Sequence, residues 1–265
     1  MKIKIFALAL ALLLCALPLV ACTEGAVDTS SAYEVYSHAA SMLKDCERYE
    51  KHITMTLSQG EVGKEERMIS TSIVKSSDEN YALDLSVDFY GAGGKTPEQN
   101  MKLAFLYKDA TLYYTAPAGK YMGECDNETF NSFVVATATS FYPFRSNLPN
   151  FTDDDLKGVG VTENADGTRS FTVSVRGDKV AYLTESFHAS SDNIVFQNTT
   201  VTLTFDQKNA PLHLRVSFDS VVDGNLAGNF LFEIEYINIG TSPAINPPSD
   251  TSDYEPTDFK ALMEN

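Results

Sequence analysis

The chain has 265 residues, 43% of them hydrophobic and 21% charged, which is ordinary for a globular protein of one or two domains. Lys and Arg total 20 against 36 Asp and Glu, giving a net charge of −16 and a pI near 4.6. That balance argues against nucleic acid as a partner, because neutralising phosphates needs clustered Lys and Arg.

The N-terminus reads as an address. Met1-Lys2-Ile3-Lys4 is a short basic start, and Ile5 to Val20 is apolar apart from Pro18. This is the pattern of a secretory signal, too short for a comfortable membrane span. Leu19-Val20-Ala21-Cys22 resembles the lipobox of bacterial lipoproteins. The resemblance implies diacylglyceryl transfer to the thiol of Cys22 and cleavage after Ala21; the alternative is a standard signal with a chance Cys. Removing residues 1–21 takes away Lys2 and Lys4 and no acid, leaving 18 basic against 36 acidic residues, a net −18. An anionic bilayer repels such a body, so the lipid on Cys22 is the expected attachment to the outer face of the bacterial cell membrane. Cys15 leaves with the signal. Cys46 and Cys125 remain, either as one disulfide or as two separate buried thiols.

Residues 23–30 are small and polar, as in a flexible tether. Ser31 and Glu34 then form an S-x-x-E capping box. Tyr36, Ala39, Ala40, Leu43 and Cys46 recur at helical spacing, which predicts a helix from about Ala32 to Tyr49 with Cys46 on its buried stripe.

Beyond it the period becomes two. Ile53, Met55 and Leu57 alternate with Thr54 and Thr56, and Leu83, Leu85, Val87 and Phe89 with Asp84, Ser86 and Asp88. The same pattern recurs at Phe171–Val175, Val201–Phe205, Leu212–Phe218 and Phe230–Tyr236. Such alternation marks antiparallel strands with one apolar and one wet face, and disfavours a doubly wound parallel sheet. Arg67–Lys75, Met101–Lys108, Thr111–Ala116 and Val159–Val161 also read as strands, giving about ten in meander order. Asn164-Ala165-Asp166-Gly167, Asp206-Gln207-Lys208-Asn209 and Asp223-Gly224-Asn225 supply hairpin turns.

Helices are expected at Asp126–Ser140, capped by Asp126 or Asn127, and at Lys179–His188. Thr152–Leu156 reads as a short capped turn. The tail after Gly240 is proline-rich, with a short helix expected from Pro256 to Met263. The expected class is therefore α+β: a curved antiparallel sheet packed against an N-terminal helix and inserted helices. Residues 1–21 are the signal, 22–30 the lipidated tether, 31–248 one domain and 249–265 a C-terminal tail.

Incomplete cover over such a sheet leaves an apolar cavity. Its candidate liners are Leu83, Leu85, Val87, Phe89, Phe171, Leu203, Phe205, Leu214, Phe218, Phe232 and Ile234, with Phe130 and Phe133 on a covering helix. The 16 Phe and 13 Tyr, with Tyr107, Tyr113, Tyr114 and Tyr121 grouped, suit an amphipathic lining or equally a packed core.

The lipobox, the helix Tyr33–Tyr49, the strand series and the ending Tyr236-Ile237-Asn238-Ile239-Gly240, followed by Ile245-Asn246-Pro247-Pro248, resemble small lipoproteins of Gram-positive bacteria labelled LolA-like. The resemblance covers roughly Ala32 to Tyr254. It implies an unclosed half-barrel with helices on its concave face, binding acyl chains or a lipidated partner. It carries no catalytic residue and no ligand-contact motif that transfers position by position.

Chemistry is sparse. Tyr90-Gly91-Ala92-Gly93-Gly94-Lys95-Thr96 lacks the first glycine of a P-loop, because Phe89 stands there. Neither G-x-S-x-G nor H-E-x-x-H occurs. His38, His52, His188 and His213 are dispersed, and Asp153, Asp154 and Asp155 sit where a helix start favours acids. Asn164–Gly167 lacks the downstream Glu of a calcium loop. Sugar-cleaving clefts usually carry Trp platforms, and the chain has no Trp. No catalytic residue, metal or cofactor is expected. The expected function is binding or carrying acyl chains or another apolar ligand. The alternative is an envelope sensor or interaction lipoprotein with a filled core.

Overall fold

The structure is a computed structural model that describes residues 27–44, 46, 48–59, 65–77, 80–91, 96–138, 148–181, 194–241 and 244–264. The expected signal, the expected lipidation site Cys22, and His188 lie outside the described residues.

Chain order begins with β1 (Val27–Ser31) and α1 (Ala32–Lys44). An antiparallel meander follows: β2 (Tyr49–Gln59), β3 (Glu65–Ser77), β4 (Asn80–Tyr90), β5 (Gln99–Lys108), β6 (Thr111–Ala116) and β7 (Gly119–Glu124). After α2 (Asn127–Ala138) comes a second meander: β8 (Gly160–Glu163), β9 (Arg169–Ser174), β10 (Ile194–Phe205), β11 (Pro211–Val222) and β12 (Asn225–Tyr236). The chain ends on β13 (Glu255–Pro256) and α3 (Phe259–Glu264).

All strands join one 13-stranded sheet in the order β1-β8-β9-β10-β11-β12-β2-β3-β4-β5-β6-β7-β13. The seam between the meanders is β12 against β2, antiparallel, with Gly228 opposite Gln59 and Tyr236 opposite Lys51. β1 and β13 are the two edges, so the curved sheet is unclosed.

The strand count exceeds the expected ten by β1, β7 and β13. β1 pairs with β8 where a tether was expected, and its sequence Val-Asp-Thr-Ser-Ser carries no apolar alternation. β7 (Gly-Lys-Tyr-Met-Gly-Glu) carries none either, and β13 is two residues of tail lying parallel to Tyr121 and Met122. Turn chemistry is as read: Asp223 and Gly224 join β11 to β12 with φ of 50° and 81°, a left-handed pair that matches the twist of a hairpin.

α1 is shorter than its apolar spacing predicted. Cys46 N bonds back to Leu43 O at 3.4 Å, and Tyr49 already pairs with Lys75 in β3. Cys46 therefore leaves the helical stripe; its thiol donates to Arg48 O at 2.7 Å and accepts from Gly240 N at 3.2 Å. Ser31 caps the helix through Tyr33 N at 3.2 Å, and Ala32, Val35, Tyr36 and Ala39 form the buried face. Cys125 donates to Asp126 O at 3.4 Å. Both thiols are free, so the disulfide alternative is not realised. Burial, with the Asp126 carboxylate beside it, pushes the Cys125 thiol up to about 11.

Asp126 caps α2 by accepting from Thr129 N at 2.7 Å. The segment expected to begin a helix at Lys179 instead forms a 3₁₀ turn, Gly177–Lys179, that ends where Val180 N bonds to Gly177 O. The rest of that expected helix lies outside the described residues. In the acidic triplet, Asp155 is structural. Its carboxylate accepts from Thr152 N at 2.7 Å and Thr152 Oγ1 at 2.6 Å, and pairs with Lys179 Nζ at 2.8 Å. The Lys179 ammonium, then the Thr152 donors, hold this carboxyl down at about 2.

The C-terminal segment is docked rather than loose: Thr257 N bonds to Met122 O at 2.8 Å, and Phe259 is fully buried.

Candidate functional site: the inner face of the sheet

Alternation and register together build one apolar face. Hydrogen-bonded partners carry a single row across the strands: Phe171, Leu203, Leu214, Ile234, Ile53, Thr71, Leu85 and Leu103. The adjacent row runs Val173, Val201, Val216, Phe232, Met55, Ile69, Val87 and Met101. Cross-strand pairs at this spacing touch, so each row is a continuous band, hydrophobic throughout except at Thr71.

The predicted liners all belong to this face or its cover. Phe171 and Phe205 stack at 5.7 Å between centroids, and Phe218 stacks on Phe230 at 4.9 Å. Phe89, at the end of β4, is only partly buried. α2 brings Phe130 onto Tyr107 at 4.6 Å and Phe133 edge-on to Tyr114 at 5.1 Å and Phe259 at 5.0 Å. Phe130 and Phe133 thus cover the β4–β6 end of the face, as expected from the sequence. Leu83, Val87, Leu203, Phe205, Leu214 and Ile234 each have 0% exposure, which leaves no water-sized gap beside them. Among the described residues these six are packed core, while Leu85 and Phe218 also border grooves of the sheet.

The other cover is α1 with the segment after residue 147. The Tyr36 hydroxyl donates to Pro149 O and accepts from Phe151 N at 3.1 Å, and the Tyr36 and Phe151 rings meet at 5.3 Å. Burial pushes this phenol above its ordinary value.

Lys51 and Thr71 interrupt the face at β2 and β3, as the buried Thr199 and Ser220 do at β10 and β11, and sequence reading passed over them. Lys51 lies between Tyr236 and Ile73 in register and is only 8% exposed. It is the one charged residue among the described buried ones. Its ammonium sits 4.4 Å from the centre of the Tyr49 ring. Burial pushes it down to about 8, the Cys46 thiol opposing and the Lys75 ammonium reinforcing that shift. Thr71, one row away between Ile53 and Leu85, buries a hydroxyl that has no hydrogen-bond partner. Both were legible by phase, because Lys51 continues Ile53, Met55 and Leu57, and Thr71 interrupts Ile69 and Ile73.

The opposite face of the sheet, read from the sequence as wet, carries a groove of about 580 Å³ floored by Thr54, Ser70, Ser72, Ser86 and Ala104 and flanked by Asp84 and Lys102. Partial desolvation raises the Asp84 carboxyl. Among the described residues no group of three or more His, Cys, Asp and Glu comes together to hold a metal ion. No described helix is long and apolar enough to cross a membrane.

The class defined by this architecture is an unclosed antiparallel sheet with one apolar face under separate helices. No protein-family model and no curated protein matches the chain. Solved structures similar to it include LprF from Mycobacterium bovis, 13% identical, covering 83% of this chain and 100% of that one at a TM-score of 0.40. A LolA superfamily protein, NE2245 from Nitrosomonas europaea, is 8% identical and covers 82% of this chain and 96% of its own at 0.24. Rv2717c from M. tuberculosis is 8% identical, covering 75% and 98%, also at 0.24. The fold described above rests on this chain's own strand order.

Proposed function

We propose that this protein is an extracytoplasmic bacterial lipoprotein, anchored through Cys22, that binds acyl chains or another apolar ligand between the sheet and its covering helices. The observation that carries the reading is the inner face itself. Apolar rows cross eight strands, from β9 to β5, and the described cover is separate short pieces rather than a second sheet. A sheet sandwiched by another sheet is sealed by two continuous surfaces. Here α1 with the 148–156 segment covers one part and α2 with α3 another, so the cover is two separate bodies. The work is binding, with no bond made or broken. Its place is the outer face of the cell membrane, attached by lipid.

A second reading has its own support. The 0% exposure of Leu203, Phe205 and Leu214 fits a filled core, and with it an envelope sensor or interaction protein that takes no ligand. One experiment separates the two: native mass spectrometry, followed by organic extraction, of the chain from residue 22 with Cys22→Ala, purified without detergent. A defined co-purifying lipid, or uptake of added lauric acid at one molecule per chain, supports the binding reading. A bare protein that takes up no added lipid overturns it in favour of the filled core.

A further inference from the structure

We propose that the C-terminal segment is a displaceable latch: Phe259 occupies the mouth of the apolar site at the β7–α2 end of the sheet, and an incoming hydrocarbon chain takes its place. This rests on the binding reading above and adds the point of entry and the element that competes there.

Three observations meet at this end of the molecule. First, Phe259 ends an aromatic cluster that runs out from the inner face. Phe105 meets Tyr114 at 4.9 Å, Tyr114 meets Phe133 at 5.1 Å, and Phe133 meets Phe259 at 5.0 Å. Phe105 and Tyr114 stand on the sheet and Phe133 on α2, whereas Phe259 comes from a segment attached separately to β7. Second, that segment is anchored by a single buried side chain. Among the described residues from 251 to 263, Phe259 is the one that is buried. β13 pairs with β7 over two residues, Thr257 N bonds to Met122 O at 2.8 Å, and the Lys120–Asp253 ion pair lies at the surface, where such a pair adds little. A segment with so few buried contacts opens at low cost. Third, a groove of about 670 Å³ runs beside it, lined by Met122, Gly123, Thr129, Pro256 and Thr257. Phe259 Cδ2 lies 3.5 Å from where a Cβ on Gly123 would stand, so the groove and the ring adjoin. A hydrocarbon chain buries apolar surface as a phenyl ring does, and it can replace the ring while keeping the cluster dry.

The test uses the chain from residue 22 with Cys22→Ala, and dodecanol as the probe. Its uncharged head suits a groove where Glu124, Asp126 and Asp258 outnumber Lys260. Titration calorimetry follows binding, and hydrogen exchange at the Thr257 amide follows the latch. Saturating dodecanol is expected to speed that exchange at least about fivefold, because the bond to Met122 O opens when the latch leaves. This arm needs no variant, so it stands even where a substitution loosens the fold. Phe259→Ala should bind dodecanol at least about tenfold tighter, since no ring has to be displaced first. Gly123→Ala makes no cavity: its methyl would collide with the Thr257 backbone carbonyl, so the latch must shift, and affinity should rise in the same direction. Circular dichroism checks that both variants are folded. Dodecanol that binds without changing exchange at Thr257 overturns the latch and leaves the binding reading standing. A gain confined to Phe259→Ala does the same, because the room left by the ring then explains it. Dodecanol bound by none of the folded chains also overturns the latch, and the lauric acid experiment above then decides the binding reading separately.

Discussion

Lys51 shows how one side chain can work against the stability of the fold that holds it. Burial pushes its ammonium down to about 8, well below the ordinary lysine value. The sign follows from linkage. Below pH 8 the folded state must carry a charge that the unfolded chain keeps in water, so the destabilisation is then fully present. Between pH 8 and the unfolded lysine value the folded state loses its proton first, and stability rises with pH. The difference amounts to roughly 3 kcal/mol. Among the described residues, the groups that act on this ammonium are the Cys46 thiol, the Lys75 ammonium and the ring of Tyr49, none of them a carboxylate. Lys51→Met is therefore expected to stabilise the protein by about 3 kcal/mol at pH 7, measured by urea unfolding, and the gain should shrink as the pH is raised to 10. A gain that stays constant across that range would trace to packing rather than to charge. The phase that places Lys51 on the inner face was present in the sequence. Lysine in an apolar phase is ordinarily assigned to a strand end that reaches water, and only the register with Tyr236 shows that it does not.

At the scale of elements, local signals located nearly every strand and both major helices, and they failed where a tertiary contact decided the ending. α1 carries a helical pattern past Lys44, but Tyr49 is claimed by its ladder partner Lys75, and a strand pair outweighs one more helical turn. Tyr36 ties α1 to the segment 148–156 by hydrogen bonds as well as by packing. Tyr36 donates to Pro149 O and accepts from Phe151 N, so Tyr36→Phe removes two buried hydrogen bonds and leaves Phe151 N and Pro149 O only their bond to each other at 3.0 Å. That variant is expected to lose about 2 kcal/mol while keeping the fold. The amide of Phe151 should then exchange with solvent at least tenfold faster, the signature of a loosened strap. Unchanged exchange at Phe151 would mean that ring packing against Phe151, at 5.3 Å, and not the hydroxyl, fastens this part of the cover.

For the whole molecule, alternation revealed that each strand has an apolar side, and hairpin chemistry revealed which neighbours pair within each meander. The join between the meanders was not legible, because β12 and β2 are separated by most of the chain and no local pattern selects that pairing. The groove on the outer face was equally hidden. Ser70, Ser72 and Ser86 read as solvated positions one strand at a time, and they make a floor only once β2 to β5 lie side by side. The seam can be tested at a single glycine. Gly228 lies opposite Gln59, and a Cβ added there would come 2.7 Å from Ser58 O and 3.3 Å from Leu57 Cδ1. The first contact is with backbone, which cannot swing aside as a flexible side chain does. Valine is the better strand former, so β propensity alone predicts that Gly228→Val stabilises β12. The close approach of β2 predicts the reverse, a loss of about 2 kcal/mol from overpacking. Because β12–β2 is the contact that makes one sheet of two meanders, that loss should appear as a lower midpoint of one cooperative transition, with probes in β4 and β11 unfolding together. If the β4 and β11 probes separate in the variant, the meanders are two folding units that merely abut. If Gly228→Val raises the midpoint instead, the seam is looser than the register between Gly228 and Gln59 implies.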